Sequence, residues 1–571
     1  MGATPRPEHP QPQMERAEWM NLNGEWDFEF DFGNSGIHRK LYENTELGGK
    51  ITVPFCPESS LSGVGHKDFI RAVWYHRTVI LTGRQLHGRV LLHFGAVDYE
   101  CRVWINGREA GTHKGGYSSF CFDITELVLE GENHLCVYAG DDTVSGRQPR
   151  GKQSSRYESW GCDYTRTTGI WQTVWMEFVP ECYIEKLQYY PNISEGTLTV
   201  KAVTHGSGTL IAKALYESKV CGNARTEVSA CGAVLTLTLS ELHLWEPGAG
   251  RLYDLELSFG EDRVHSYFGM REIKVQGEKF LINGKSVFQR LVLDQGFYPD
   301  GIYTAPTEEA LRQDILLSLD AGFNGARLHQ KVFEPRFLYH CDKLGYLVWG
   351  EQASWGLDIS SQAGLKYFLP EWMEVLERDF NHPSIIGWCP FNETWDYDGR
   401  MQDNDLLAVV YRMTKLYDTT RPCIDTSGNY HVITDIYDLH DYEQNPEIFA
   451  ASYADFAQGG ALKDTHPHRQ MPVKGVPVFI SEYGGIKWDV ENKIEKSWGY
   501  GQGPETEDAF IQRYQGLTDS LLDNPHMFGF CYTQLYDVEQ EVNGLYTYGR
   551  KPKFDMAVFK KINSRRAAIE D

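Results

Sequence analysis

No two cysteines in this chain are spaced as C-x-x-C, and the twelve present are scattered from Cys56 to Cys531. That excludes a thioredoxin-like redox pair or a zinc ribbon, and in a chain of 571 residues it argues against a disulfide framework. Several, such as Cys136 in HLCVYAG and Cys531 in FGFCYTQ, sit inside apolar runs, where a free thiol behaves as a small hydrophobe. Positive charge is also short. The chain has 55 Lys and Arg against 79 Asp and Glu, for a formal net charge of −24. Duplex binding needs a Lys/Arg surplus to displace counterions, so no nucleic-acid partner is expected, and an anionic membrane would repel the chain. No stretch approaches 18 apolar residues, so no membrane span is expected. The N-terminal MGATPRPEHPQPQMERAEW has no apolar segment of the kind a signal peptide carries, which makes the cytoplasm the expected location. Its prolines and lack of periodicity predict a disordered lead-in over residues 1 to about 16. Also absent are a Gly-rich turn after a first strand, H-E-x-x-H and a nucleophile elbow, so nucleotide, zincin and serine-hydrolase chemistry have no foothold.

What is present reads as a multidomain β plus α/β chain. The apolar fraction of 41% and charged fraction of 23% are those of an ordinary globular protein, and the length implies two to four domains. From Asn21 to Val179, runs such as GEWDFEF, AVWYHRTVIL, RVLLHFG and NHLCVYAG are strand-like, with Gly, Asn and Asp between them. Asn106-Gly107 is a hairpin signal. Residues 1–180 therefore predict a jelly-roll-type β-sandwich. Residues 181–276 continue in short strands (TLTVKAVTHG, AVLTLTLS, RLYDLELSFG) and fit an immunoglobulin-like sandwich. Residues 277–571 alternate eight strand-like runs with amphipathic stretches, the rhythm of a (β/α)₈ TIM barrel. Thr307 before Glu308-Glu309 marks a helix start, and Gly322 and Gly345 mark stops.

Catalytic groups in such a barrel sit at the C-terminal ends of its strands. In order these ends give Asp294, Arg327 with His329, Glu351, Asn392 with Glu393, Asp425, His440 with Tyr442, Glu482 and Gln534. Carboxylates crowded at one rim repel each other, so a purely structural barrel has no use for so many. A lone Glu at a strand end is most often a cap or a salt bridge. Two of them, Glu393 on strand four and Glu482 on strand seven, match the paired carboxylates that glycosidic cleavage requires. One must hold a proton for the leaving oxygen while the other stays ionised to attack the anomeric carbon. Trp355, Trp395 and Trp488 follow strands three, four and seven, where stacking on sugars and ordinary loop packing are both open. The His466–His468 run, next to Pro472, reads as a surface loop rather than a metal site.

NHPSIIGWCPFNETW resembles the acid/base strand of glycoside hydrolase family 2, and VPVFISEYGG resembles its nucleophile strand. WMNLNGEWDF, LHFGAVDYECRVWINGREAGTHKGGYSSFCFDIT, TRTTGIWQTVWME and FGMREIKVQGEKFLINGKSVFQR are similar to its sandwich domains and the start of its barrel, so the likeness runs over residues 19 to 555. It implies Glu393 as acid/base, Glu482 as nucleophile, Asn392 on the sugar 2-hydroxyl, Tyr442 and Arg327 against the nucleophile, and Asp294 on the terminal sugar. It implies a glycoside or oligosaccharide substrate and no organic cofactor or required metal. An assembly of like subunits is expected. The chain leaves the family pattern at Arg327-Leu328-His329-Gln330 (usually Ser-His after the arginine) and at His440-Asp441-Tyr442 (usually Asn-x-Tyr). It also leaves it at Asn543-Gly544-Leu545, where β-glucuronidases carry Asn-x-Lys. His329 and His440 thus become candidate substrate contacts, with Trp395 and Trp488. The expected activity is a retaining exo-glycosidase of β-galactosidase type, ahead of a β-galactofuranosidase or α-L-arabinofuranosidase, with β-glucuronidase third. A non-catalytic carbohydrate-binding protein is the rival from another class; it would have lost one carboxylate, and both are present.

Overall fold

A computed structural model of the chain describes residues 4–229, 231–471, 475–490 and 496–570. Residues 19–179 form a two-sheet antiparallel sandwich. One sheet has the order Gly49–Val53, Gly24–Phe30, Ala72–Leu81, Gly131–Gly140, Glu100–Ile105, Arg108–Lys114. The other has the order Trp19–Asn21, Val174–Val179, Arg89–Phe94, Phe120–Asp123. Val73, Tyr75, Val79 and Leu81 share the inward face of their strand, as a period of two requires. Asn106 and Gly107 (φ 52° and 75°) make the tight left-handed turn between paired strands. The second sandwich faces a three-stranded sheet with a four-stranded one around Leu198, Val200, Leu210 and Leu255.

From residue 289 onward, seven parallel strands form one curled sheet. Its order is Ile385–Cys389, Leu347–Glu351, Gly325–Leu328, Gln289–Asp294, Met527–Thr533, Val478–Gly484, Tyr437–Asp441. Barrel strand one thus pairs with strand eight. The gap between strands four and six is filled by the short strand five, Thr426–Ser427. It pairs in parallel with Phe391–Asn392, and a bridge joins Trp388 to Cys423. Thr307 caps the helix Glu308–Asp320 by accepting from the Ala310 amide, and Gly345 (φ 66°) ends Pro335–Leu344. Among the described residues, no helix is long and apolar enough to cross a membrane. All twelve cysteines are unpaired.

The lead-in is a correction to the sequence reading. Within residues 4–16, buried Arg6 pairs with Glu334 at 2.5 Å, and buried Arg16 joins Glu177 (2.8 Å) to Asp262 (2.9 Å). Proline content reports local propensity; it carries no information about ion-pair partners hundreds of residues away. Two helices were also unforeseen, Pro446–Ala457 and Met556–Asn563, and none separates strands five and six.

The sandwich and barrel share one continuous core, which includes Tyr117, Tyr164, Trp171 and Trp245. Residues 141–168 contain no named strand or helix and lie against the barrel rim. The Arg150 amide donates to the Trp355 carbonyl (2.8 Å), the Tyr164 hydroxyl donates to Glu541, and Gln540 donates to the Asp163 carbonyl (3.0 Å). Gly151 (φ 58°) passes so close to the Gln330 carbonyl that a Cβ there would overlap it.

Candidate active site

The rim is organised by Arg327, 1% exposed at the end of strand two. Its Nε donates to Glu351 Oε1 (2.5 Å), its Nη2 to Asn392 Oδ1 (2.9 Å), and its Nη1 to the Ser481 carbonyl (2.8 Å) and Glu482 Oε1 (3.1 Å). One guanidinium therefore fixes side chains from strands three, four and seven; its rigid donor fork suits that role better than an ammonium would. Glu482 Oε2 accepts from the Tyr442 hydroxyl at 2.5 Å. Tyr442 is braced by Thr533 Oγ1 (3.1 Å) and by the ring of Tyr500, stacked at 3.4 Å. His329 Nδ1 lies 3.2 Å from Glu351 and 3.9 Å from Glu482. Burial foremost, with the cations Lys152 and Arg327 and the neighbouring His440, holds its ring well below the usual histidine range, so it is neutral.

Glu393 stands directly after the strand-four segment Phe391–Asn392 at φ 43°, a left-handed conformation rare for a residue other than glycine and frequent at functional positions. Its Oε1 lies 2.6 Å from His440 Nδ1, and its Oε2 accepts from Trp395 Nε1 at 3.2 Å. Burial alone would raise this carboxyl; the hydrogen bond and charge of His440, with Lys152 and Trp395, bring it below the ordinary value. Burial would conversely lower His440, but Glu482 and Glu393 raise it. One oxygen of each glutamate and one nitrogen of His440 all lie within 4.8 Å of one another. Among the described residues this is the one His/Cys/Asp/Glu group compact enough to admit a cation. Within it His440 Nδ1 meets Glu393 Oε1 at 2.6 Å, while Arg327 and Tyr442 hold Glu482. Asn392 Nδ2 is buried with no acceptor, which leaves one donor free for a ligand hydroxyl.

Of the residues expected from sequence, Arg327, His329, Asn392, Glu393, Trp395, His440, Tyr442 and Glu482 are brought together. Asp294 and Trp488 are not. Asp294 accepts from the Tyr536 hydroxyl (2.5 Å) and the Gly296 amide (2.9 Å); burial and the nearby Asp314 push it up to about 6. The Trp488 ring packs on Phe510 and Phe554 at about 6 Å, an apolar cluster that claims it as core. Trp395 is 50% exposed, with its ring edge-on to Tyr430 and His466. The His466–His468 loop therefore reaches the site on one side, while Pro472 lies outside the described residues.

Sequence reasoning missed Lys152. It comes from the sandwich loop, lies over the Trp355 ring at 4.1 Å, and is surrounded by the charges of Glu541, Glu482 and Glu393. Burial opposes its charge most, yet Cys162 and these carboxylates hold it above the ordinary lysine value. The signal was available: the 141–168 stretch is too long for an idle connection between strands.

Two family models match the chain. One is described as "Glycosyl hydrolases family 2, sugar binding domain", over residues 64–177. The other is "Glycosyl hydrolases family 2, TIM barrel domain", over residues 273–567. A beta-glucuronidase of Paenibacillus borealis is 23% identical across 94% of this chain and 95% of its own length. A beta-galactosidase of Thermoanaerobacter pseudethanolicus is 24% identical across 77% of this chain and 57% of its own. The chain spans half the length of a Formosa agariphila relative that is 25% identical to it. Among solved structures, an uncultured Clostridium beta-glucuronidase superposes with a TM-score of 0.80 at 21% identity, covering 97% of this chain and 99% of that one. At that identity the likeness carries the fold alone.

Proposed function

From the premise that this chain belongs to glycosyl hydrolases family 2 and is a glycoside hydrolase, we propose that it is a retaining exo-glycosidase with Glu482 as nucleophile and Glu393 as acid/base. The observation that carries this reading is the pairing at the rim. Glu482, held by Arg327 and Tyr442, has a carboxylate oxygen within 4.8 Å of one on Glu393. Two carboxyl groups about 5–5.5 Å apart act by double displacement, whereas inversion needs about 6.5–9.5 Å to admit a water between them. Glu482 attacks the anomeric carbon as Glu393 protonates the leaving oxygen. The glycosyl ester on Glu482 is then cleaved by a water that Glu393 deprotonates. Asn392 Nδ2 donates to the sugar 2-hydroxyl, a contact that tightens as the ring flattens. Oxygen-rich strand ends need no organic cofactor for this.

The terminal sugar is read as neutral and of β-galactoside type, ahead of a galactofuranoside or arabinofuranoside. Glu393, Glu482 and Glu541 face Lys152, and Arg327 is already engaged by Glu351, so a sugar carboxylate would enter a field of like charge. Leu545, at the position of the family's carboxylate-binding lysine, is buried in the core. A uronide is the third reading, favoured by the Lys152 ammonium at the rim and by the beta-glucuronidases among the relatives. A panel of 4-nitrophenyl β-galactopyranoside, β-galactofuranoside, α-L-arabinofuranoside and β-glucuronide tests the choice. Highest kcat/KM on a neutral glycoside is expected. Highest on the glucuronide, lost in Lys152→Ala, would reverse it; hydrolysis of none of these or any related glycoside would overturn the activity itself.

A further inference from the structure

We propose that His440 is the proton-holding partner of Glu393: a single proton, confined between His440 Nδ1 and Glu393 Oε1, is the acid proton of the reaction. The proposal rests on the reading of Glu393 and Glu482 above and adds the group that manages their charges.

The partners of the other ring nitrogen decide where protons can be. His440 Nε2 lies 3.1 Å from Ser427 Oγ, 3.4 Å from Glu482 Oε1 and 3.5 Å from Arg327 Nη1. Arg327 Nη1 has two hydrogens, and both are used, on the Ser481 carbonyl and on Glu482. The Ser427 hydroxyl gives its one hydrogen to Asp438 Oδ2 at 2.5 Å. Burial would raise the Asp438 carboxyl, but His431 above all keeps it below the ordinary value, so it is an ionised acceptor. The Arg327 Nη1 contact is the longest of the three and its hydrogens are engaged at shorter range, so Nε2 donates to Ser427 Oγ at 3.1 Å, with the Glu482 carboxylate 3.4 Å away as a favourable charge. Nε2 therefore carries a hydrogen.

With Nε2 occupied, the 2.6 Å contact between Nδ1 and Glu393 Oε1 holds one proton. It belongs either to an imidazolium facing a carboxylate or to a carboxylic acid facing a neutral ring. The groups facing His440 are Glu393, Glu482, Arg327 and, through Ser427, Asp438; Glu351, His329 and His466 act on the ring from farther away, and Lys152 acts on its partner Glu393. Two carboxylates on the ring against one guanidinium favour the imidazolium before substrate arrives. The ring is seated against the Gly428 backbone, where φ is 89° and a Cβ would overlap the imidazole. It has little room to turn away.

Charge then balances through the cycle. In the first half, Glu482 loses its charge by forming the ester. His440 loses its own as its proton passes to Glu393 and on to the leaving oxygen, and the carbon–oxygen bond to that oxygen breaks. In the second half, water bonds to the anomeric carbon, the ester to Glu482 breaks, and the water's proton returns through Glu393 to His440. Glu482 and His440 are charged together and neutral together, so this buried site never carries an uncompensated charge from either. His440 is thus a positioning residue that acts through Glu393.

The inference is tested on the unaltered chain by ¹⁵N NMR of its histidines, before and after trapping with a 2-deoxy-2-fluoro glycoside of whichever sugar is hydrolysed. His440→Asn supplies the assignment. The His440 signals are expected to be those of an imidazolium in the free enzyme near pH 6 and of a neutral, Nε2-protonated ring in the trapped one. The same protonation state in both would overturn the inference while leaving the nucleophile assignment intact, whereas failure to trap Glu482 is a failure of the underlying reading. In parallel, His440→Asn is expected to shift the alkaline limb of the kcat/KM profile to lower pH. It is also expected to cost on the order of 100-fold or more on an alkyl glycoside, and under about 10-fold on a dinitrophenyl glycoside whose leaving group needs no proton. Equal losses on both substrates with an unmoved alkaline limb would overturn the inference.

Discussion

Glu371 offers a sharp test of how the sandwich and the barrel hold each other. Its side chain leaves the barrel helix Leu365–Asp379 and enters the sandwich. There Oε1 accepts from the Tyr117 amide at 2.6 Å, while Oε2 accepts from the barrel's own Gln352 Nε2 at 3.0 Å. Among the described residues no cation pairs with it. Burial, then the charge of Glu374 one turn away, pushes its carboxyl from 4.5 up to about 7. The folded chain thus binds this proton more tightly than the unfolded chain does. Its contribution to stability is complete below about pH 4.5 and is lost as pH rises through about 7. At ~1.4 kcal/mol for each tenfold in proton affinity, the full loss is about 3 kcal/mol. Glu371→Gln mimics the protonated form. Its oxygen can keep the Tyr117 amide, and its new NH₂ can meet Gln352 Oε1, which has no partner in the native chain, once that amide flips. Urea unfolding at pH 5 and pH 8 reads the difference. Other buried acids titrate in both proteins and cancel in the comparison. Near-equal stability at pH 5, and a variant more stable by about 2–3 kcal/mol at pH 8, are expected. A gap that stays constant with pH would refute the reasoning, and a variant less stable at pH 8 would reverse it.

Glu393→Ala should keep turnover of dinitrophenyl glycosides and be rescued by azide with release of a glycosyl azide; no azide product, together with equal losses on all leaving groups, would remove Glu393 from its role. Arg327→Met leaves Glu351 and Glu482 buried without their cation, which should cost about 3–5 kcal/mol in chemical unfolding; a change under about 1 kcal/mol would refute its place as organiser of the rim. Trp395→Ala should raise KM with little change in stability. Trp488→Ala should do the opposite, losing about 2 kcal/mol with KM unchanged, and an exchange of these outcomes would return Trp488 to the substrate.

The barrel was legible because each strand ends on a side chain that a core has no reason to keep. Glu393 and Glu482 follow the apolar runs IIGWCPF and VPVFIS, and both reach the same rim. Arg327 was legible as a neighbour of the nucleophile, but its reach to Glu351, Asn392 and Glu482 at once depends on barrel curvature that no local pattern encodes. The helix Pro446–Ala457 did carry its signal, with Asn445 as cap and Phe449, Tyr453 and Phe456 on one buried face. Trp488 was misplaced because position after a strand does not say which way an indole turns; Phe510 and Phe554, far along the chain, decide that. Arg6 and Arg16 were unreadable for the same reason. Each lies in coil, and its partners are set by the docking of one domain on another.

The most direct test of the proposed chemistry is covalent trapping. The enzyme is incubated with the activated 2-deoxy-2-fluoro analogue of its best substrate, followed by intact-protein mass spectrometry, peptide mapping and ¹H NMR of the first anomer released from the natural substrate. One glycosyl adduct per chain on Glu482, with the product anomer matching the substrate, is expected. An adduct on another residue, or first release of the opposite anomer, would contradict it.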